Sequence, residues 1–76
     1  MRPNRMREFR EQMGREGWSQ EYLARRCGLA LATVNRLEVG SREPNLRSAR
    51  RIAKALGRTV SDVFPGQFDE LAEAVS

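Results

Sequence analysis

The stretch SQEYLARRCGLALATVNRLEVG, residues 19–40, decides the fold of this chain. It predicts two short helices joined by a tight turn. Ser19 is a good N-cap, because its hydroxyl can accept a hydrogen bond from an unpaired amide of the first helical turn. Gly28 and Gly40 follow the two helical patterns and favour the left-handed conformation that ends a helix. The connector is only about three residues long, so the two helices must cross steeply.

Helical spacing of apolar residues assigns an inner and an outer face to both helices. In the first helix, the apolar stripe consists of Tyr22, Leu23, Ala24 and Cys27. In the second helix, Val34 and Leu37 face inward because they lie three residues apart. The outward positions of the second helix are Leu31, Ala32, Asn35, Arg36 and Val39, with Thr33 at the edge.

Three further helices are predicted around this pair. Residues 4–15 carry apolar side chains on one side of a helical pattern and charged ones on the other. Residues 46–56 repeat such a pattern after Asn45, which is a good N-cap. Residues 59–64 predict a short fifth helix, with Ser61 as its cap. The chain is therefore expected to be all-α.

The final segment, residues 67–76, contains acidic residues but no Lys or Arg. Its apolar residues recur at helical spacing: Phe68, Leu71, Ala72 and Val75. A helix this short is not stable alone. It must pack on its own domain or on a second copy of the chain, and we favour the second copy. We therefore divide the chain into a domain of residues 1–66 and a short acidic amphipathic helix in residues 67–76.

Composition points to a polyanionic partner. The chain has 76 residues, which is the size of one domain, with 14 basic against 10 acidic residues and a pI near 10.6. No apolar run approaches the length of a membrane span, and the N-terminus lacks the apolar core of a signal peptide. The sequence predicts a cytoplasmic protein with no membrane association.

Residues for catalysis are scarce. The chain has no His and one cysteine, Cys27, which falls on an apolar stripe and is expected to be a small core residue in a reducing compartment. We find no phosphate-cradling glycine loop and no cluster of metal ligands. We expect no enzymatic activity, no cofactor and no metal.

A longer pattern runs through these elements. It consists of Ser19-Gln20, Leu23-Ala24, Gly28-Leu29, Val34, Leu37-Glu38 and Gly40, then Pro44-Asn45-Leu46 and Ile52-Ala53-Lys54-Ala55-Leu56-Gly57. This order resembles the Cro and phage-repressor class of helix-turn-helix regulators, the XRE-type family, between Met6 and Phe64. The resemblance implies a five-helix, lambda-repressor-like DNA-binding domain with its helix-turn-helix at 19–40. It also implies that helix 31–39 enters the major groove of double-stranded DNA.

The resemblance carries specific DNA contacts onto this sequence. The outward side chains of the second helix that would face DNA are Leu31, Ala32, Thr33, Asn35 and Arg36. Gln20 matches a glutamine that bridges a phosphate and the recognition helix. Arg42 and the amides after Gly40 match a loop that contacts the DNA backbone. Leu31 and Ala32 stand where relatives often use polar side chains, and Ala30 stands where Ser or Thr usually caps this helix.

A basic stripe adds one more candidate. One set of basic side chains lies opposite the apolar face of the helix predicted for residues 46–56: Arg47, Arg50, Arg51, Lys54 and, just after it, Arg58. Such charge runs are usually solvated faces. Alternatively, Arg47 touches the DNA backbone near the loop and the others steer the approach. We include Arg47 among the candidate DNA-contacting residues.

Glu38 raises a question of partnership. Family members usually carry a basic residue at the position of Met13, paired with the glutamate that corresponds to Glu38. That partner is missing here, and a buried unpaired carboxylate would be costly. Arg10, one helical turn earlier, is the candidate replacement.

These expectations combine into two alternative functions. The first is a sequence-specific transcriptional regulator, expected to be a repressor, that binds an inverted-repeat operator as a homodimer. Its candidate dimer residues are Val60, Phe64, Phe68, Leu71 and Val75. The alternative is an antitoxin-like or other protein-interaction module that binds a protein such as a toxin. Its best support is the apolar set Leu31, Ala32 and Val39 on a helix expected to read DNA.

Overall fold

The computed structural model describes residues 4–68, which form five α-helices and no strand. The helices are α1 Met6–Glu11, α2 Gln20–Cys27, α3 Leu31–Val39, α4 Leu46–Leu56 and α5 Val60–Val63. This confirms the all-α, five-helix, lambda-repressor-like architecture. Of the C-terminal helix predicted for residues 67–76, Gln67 and Phe68 lie within the described residues, where they form a turn and a bend. Leu71 and Val75 lie outside the described residues.

Helix α1 is shorter than the predicted span of residues 4–15. It ends at Glu11, and the following residues form turns. Gly14 adopts a φ of +66°, which lies outside the helical region, so the helix cannot continue through it. The amide of Trp18 donates to the Arg10 carbonyl at 3.0 Å. These turns bring the chain directly to the start of α2.

Both helices of the helix-turn-helix end at the predicted glycines, but only α2 has a side-chain cap at its N-terminus. The Ser19 hydroxyl accepts from the Tyr22 amide at 3.0 Å. Gly28 and Gly40 end α2 and α3 with φ of 71° and 82°. Ala30, at the start of α3, has no side chain that can accept a hydrogen bond. The recognition helix therefore begins without the cap that α2 has.

The predicted cap of α5 is wrong, because Thr59 and not Ser61 occupies the cap position. The Thr59 hydroxyl accepts from the Asp62 amide at 3.0 Å, and the Asp62 carboxylate accepts from the Thr59 amide at 3.2 Å. This reciprocal pair satisfies two amides that the helix leaves free. The hydrogen bond from the Thr59 amide to the carboxylate lowers the pKa of Asp62. Ser61 lies inside the helix.

Two cap substitutions should change stability in opposite directions. Ala30 has φ −69° and ψ 147°, the extended geometry of a cap residue. We therefore expect Ala30→Ser to raise the free energy of unfolding by about 0.5–1 kcal/mol. Asn45 accepts from the Ser48 amide at 2.8 Å, so Asn45→Ala should lower it by about 1 kcal/mol. Urea unfolding measures both. A neutral Ala30→Ser beside a destabilised Asn45→Ala would show that the new hydroxyl does not cap α3.

All five helices contribute to one core. Helix α2 packs on α3 and α4, and α4 also packs on α5. The buried apolar residues are Met6, Phe9, Leu23, Ala24, Cys27, Val34, Leu37, Ala49, Ile52, Ala53, Leu56, Val63 and Phe64. Val34 and Leu37 fix which side of α3 is buried, so the opposite side of α3 is left exposed.

Candidate nucleic-acid interface

The exposed side of α3 is the side that helical spacing predicts. Asn35, Arg36 and Ala32 are exposed, whereas Thr33 is half-buried at the edge. Val34 and Leu37 are 0% and 1% exposed. The outer face of α3 therefore presents the Asn35 amide and the Arg36 guanidinium, and both groups are open to solvent.

Gln20 joins this surface from the first turn of α2. Asn35 Nδ2 donates to Gln20 Oε1 at 3.3 Å, linking the two helices of the motif through side chains. The side-chain oxygen of Asn35, Oδ1, has no hydrogen-bond partner among the described residues. Because the contact uses one amide hydrogen of Asn35, the other donor and the oxygen are available to a bidentate base contact.

The loop after α3 differs from the sequence-based expectation. The Ser41 and Arg42 amides both donate to the Arg36 carbonyl, at 3.0 and 3.3 Å, in the turn that ends α3. The Gly40 amide donates to the Leu37 carbonyl at 3.2 Å. These amides complete the helix end and are not free to bind a phosphate. The exposed Arg42 side chain is the group that this part of the loop can offer.

Arg47 is exposed in the first turn of α4, directly after the Asn45 cap. Arg50, Arg51 and Lys54 are exposed further along the same helix. Four residues of the predicted basic stripe thus lie exposed along α4, with Arg47 at the end nearest the loop. Arg58 is not part of this surface, because α4 ends at Leu56 and the Arg58 guanidinium lies 4.4 Å from the centre of the Phe9 ring. The formal net charge of the chain is +4.

Apolar side chains flank the polar groups of α3. Leu31 at its first turn is 47% exposed, and Val39 at its last turn is 54% exposed. Tyr22, which the apolar spacing of α2 places toward the core, is 40% exposed and meets the Trp18 ring edge-on with centroids 4.9 Å apart. The candidate interface is therefore mixed, with apolar groups at both ends of α3.

An ion pair between Arg10 and Glu38 links α1 to α3. Arg10 Nε and Nη2 donate to the two carboxylate oxygens of Glu38 at 3.1 and 2.7 Å, and Arg10 Nη1 donates to the Trp18 carbonyl at 2.6 Å. The Glu38 hydrogen bonds raise the pKa of Arg10. Arg10 is thus the partner of Glu38, as its position one turn before Met13 suggested.

A second support of α3 was not predicted. Asn4 Nδ2 donates to the Leu37 carbonyl at 2.9 Å, and its side-chain oxygen accepts from the Met6 amide at 3.1 Å. Asn4 therefore ties the start of α1 to the end of α3. Asn4 falls at the very start of the first predicted helical pattern, where an Asn indicates a local cap but not a contact 33 positions away.

The candidate dimer residues are placed differently from one another. Val60 and Phe68 are half-buried and pack against the core from its edge. Phe64 is 0% exposed, and its ring meets that of Phe68 edge-on at 6.3 Å. As a surface contact Phe64 is a correction, because its side chain is enclosed by its own chain and can only support such a surface from beneath.

The described residues contain no arrangement that suggests a metal or a membrane span. Within residues 4–68, no three His, Cys, Asp or Glu side chains come together as a metal site would require. Cys27 is buried, and burial raises the pKa of its thiol. No helix of this part of the chain is long and apolar enough to cross a bilayer.

Two helices joined by a short turn, with an exposed second helix and a place in a five-helix domain, define the helix-turn-helix class. The sequence model of the helix-turn-helix family matches residues 6–63. This chain belongs to that family of transcriptional regulators, in its XRE-type branch, as the resemblance to the Cro and phage-repressor class implied.

Similar proteins are found in several organisms. One from Methanothermobacter thermautotrophicus is 43% identical over 60 residues, covering 78% of this chain and 83% of that protein. One from Archaeoglobus fulgidus is 37% identical over 67 residues, covering 88% and 91%. One from Methanocaldococcus jannaschii is 36% identical over 52 residues, covering 68% and 79%. All three are described as uncharacterized HTH-type transcriptional regulators.

Proposed function

We propose that this protein is a sequence-specific transcriptional regulator that places α3 in the major groove of double-stranded DNA. The observation that carries the proposal is the exposed pair Asn35 and Arg36, joined through Asn35 to Gln20 at 3.3 Å. In a helix-turn-helix, the second helix meets base edges while the first crosses the phosphate backbone. The family and the basic charge support the same function.

Base recognition is assigned to α3 by side-chain chemistry. Arg36 can donate two hydrogen bonds to guanine, and Asn35 can pair with adenine. Leu31 and Ala32 can only touch apolar groups, of which thymine methyls are those the major groove offers. Thr33, half-buried at the edge, can reach a base or a phosphate with its hydroxyl. Specificity therefore depends mainly on two polar residues.

Phosphate contacts are assigned to three residues around α3. Gln20 lies at the N-terminal end of α2, where the helix dipole also favours an anion. Arg42 and Arg47 are exposed in the loop after α3 and in the first turn of α4. Because the Ser41 and Arg42 amides are occupied, we assign the backbone contact in the loop to the Arg42 side chain.

A direct test of this surface is an NMR titration with a duplex of arbitrary sequence at low salt. We expect the amides of Gln20, Arg42 and α3 to shift, while those of α1 do not. Shifts concentrated on the opposite side of the domain would contradict the proposed orientation.

Replacing Arg42 should weaken DNA binding without changing which sequences are preferred. Loss of one phosphate contact should reduce the slope of log K against log salt by about 1. Fluorescence anisotropy over a salt series measures the slope. Arg15→Ala is the matched control, since it removes the same charge from an exposed turn outside the candidate interface. Equal slopes for the two variants would remove Arg42 from the contact set.

We further propose that the protein binds as a homodimer on an inverted repeat and represses by occupying that site. Recognition helices of such dimers enter successive major grooves about 10 bp apart. The proposed dimer contact consists of Val60 and Phe68 at the edge of the core, with Leu71 and Val75 beyond the described residues. Phe64 supports this surface from beneath.

Ending the chain after Phe68 should convert the dimer to a monomer. This truncation retains the Phe64 to Phe68 contact at 6.3 Å, so the folded core keeps its packing. Sedimentation equilibrium measures the mass, and circular dichroism checks the helix content. A truncated chain that is still dimeric would remove Leu71 and Val75 from the interface, whereas a monomeric full chain would exclude the dimer.

The alternative is a protein-interaction module, with a toxin-like protein as the partner. It is favoured by Leu31 and Val39, which are 47% and 54% exposed at the two ends of α3. The substitution Val39→Lys separates the two functions. It should abolish a protein contact centred on this surface, but add a charge that DNA binding tolerates.

A further inference from the structure

A basic pocket lies between α2 and α4. Its volume is about 320 Å³, and its lining consists of Arg26, Cys27, Arg51, Lys54 and Ala55. Small-molecule sites span about 300–1,000 Å³, so this pocket has the size of a small ligand site. Cys27 and Ala55 supply a small apolar part, while the three cations supply the rest. We call it the α2–α4 pocket.

The three cations converge from both helices and have no carboxylate partners in the described chain. The ion pairs found within residues 4–68 involve Arg5, Arg7 and Arg10 instead. Arg51 reaches from α4 to the end of α2, where its Nη1 lies 3.8 Å from the position that a Cβ on Gly28 would take. Arg26 is held with its guanidinium carbon 5.5 Å from the centre of the Trp18 ring.

Helix dipoles explain only part of this cluster. Arg26 and Lys54 lie in the last turns of α2 and α4, where a positive charge is favourable. Arg51 lies in the middle of α4, and it approaches the C-terminal end of a different helix. A third unpaired cation in one concave site makes the pocket suited to an anion with more than one negative charge.

The pocket is set back from the proposed DNA-contacting residues. Arg26 follows Gln20 by six positions along α2, and Lys54 follows Arg47 by seven along α4. At 1.5 Å per residue, these steps are about 9 and about 10.5 Å along the helix axes. Both helices thus direct their first turns to the proposed DNA surface and their later turns to the pocket.

We propose that the α2–α4 pocket binds a small phosphate-bearing molecule, separately from DNA. Guanidinium groups bind phosphate oxygens through paired hydrogen bonds, and a lysine adds a point charge. A phosphomonoester or pyrophosphate group matches the charge of the three cations, and the Cys27 and Ala55 side accommodates a small neutral body. This inference does not depend on the proposed function.

The test is an NMR titration of the full chain with sodium pyrophosphate, compared with sodium chloride at equal ionic strength. We expect saturable shifts of the amides that line the pocket. Arg51→Ala should weaken pyrophosphate binding at least fivefold, and Arg51→Lys should fall between, because it keeps the charge without the planar fork. Arg15→Ala, which removes one charge elsewhere, should change binding less than twofold.

Three outcomes would overturn the proposal. Shifts that do not saturate, or that are equal in Arg51→Ala and the wild type, would indicate a non-specific effect of the anion on the charged surface and not binding in the pocket. Shifts centred on Gln20 and Arg42 would indicate that pyrophosphate imitates a DNA phosphate. Loss of pyrophosphate binding in the presence of saturating duplex would assign the pocket to the DNA backbone. Failure of the protein to bind DNA would leave the titration of the free protein valid, so the two proposals fail separately.

Discussion

Glu38→Ala should remove a large part of the stability of this domain. Arg10 and Glu38 pair through two hydrogen bonds, and their side chains are only 12% and 5% exposed. Removing one partner of a buried pair leaves the other charge uncompensated, at a cost of about 3–5 kcal/mol. Small domains have only about 5–15 kcal/mol in total. Urea unfolding followed by circular dichroism measures the loss.

A surface pair provides the matched control for this experiment. Arg7 and Glu11 pair at 3.3 Å, but their side chains are 74% and 56% exposed. Such pairs contribute about 0–1 kcal/mol, so Arg7→Ala should leave the free energy of unfolding almost unchanged. The double variant Arg10→Met with Glu38→Leu removes both charges and should recover much of the stability. A Glu38→Ala protein as stable as Arg7→Ala would show that the pair does not hold α3.

Replacing Asn35 and Arg36 together should abolish sequence preference while leaving general DNA affinity. Each bidentate base contact contributes about 1–3 kcal/mol of discrimination. Loss of both should reduce the ratio of specific to non-specific binding at least about thirtyfold. Competition of a preferred duplex against an unrelated duplex, at fixed salt, measures the ratio.

Val39→Ala is the control on the same helix. Val39 is 54% exposed in the last turn of α3, away from the base-reading residues. We expect its ratio to match that of the wild type. A double variant of Asn35 and Arg36 that still discriminates between the duplexes would transfer recognition to Leu31, Ala32 and DNA shape.

The helix-turn-helix itself could be predicted because its signals are local. Ser19 caps α2, Gly28 and Gly40 end the two helices, and Val34 and Leu37 face the core. Each of these features depends on a short stretch of backbone and on helical periodicity. Arg10 could also be predicted as the ion-pair partner of Glu38, because it lies one helical turn before Met13, where the family resemblance implies a basic partner.

Features that depend on distant contacts or on competing local choices could not be predicted. Asn4 bonds α3 across 33 positions. The cap of α5 is Thr59 and not the predicted Ser61, because Asp62 completes a reciprocal hydrogen-bonded pair with Thr59. Phe64 directly follows α5, a position where a surface residue is expected, but the packing of α4 and α5 encloses its side chain. In each case the deciding partner is not evident from the periodicity.

The early part of α3 is where this chain differs most from a typical reading helix. Ala30 gives no cap, and Leu31 and Ala32 present no hydrogen-bonding groups at the first turn. In the proposed binding mode, base recognition through hydrogen bonds therefore depends mainly on Asn35 and Arg36, about one turn later. This concentrates the predicted specificity on a short part of each half-site.

The central claim is that α3 reads base sequence, and selection of bound duplexes from a random pool tests it most directly. The wild type and the Asn35→Ala, Arg36→Ala double variant are selected in parallel at moderate salt. We predict that the wild type recovers an inverted repeat with half-sites about 10 bp apart, and that the double variant recovers no common sequence. A wild-type pool without enrichment, bound only in a salt-dependent manner, would contradict the claim and leave the apolar ends of α3 as a surface for a protein partner.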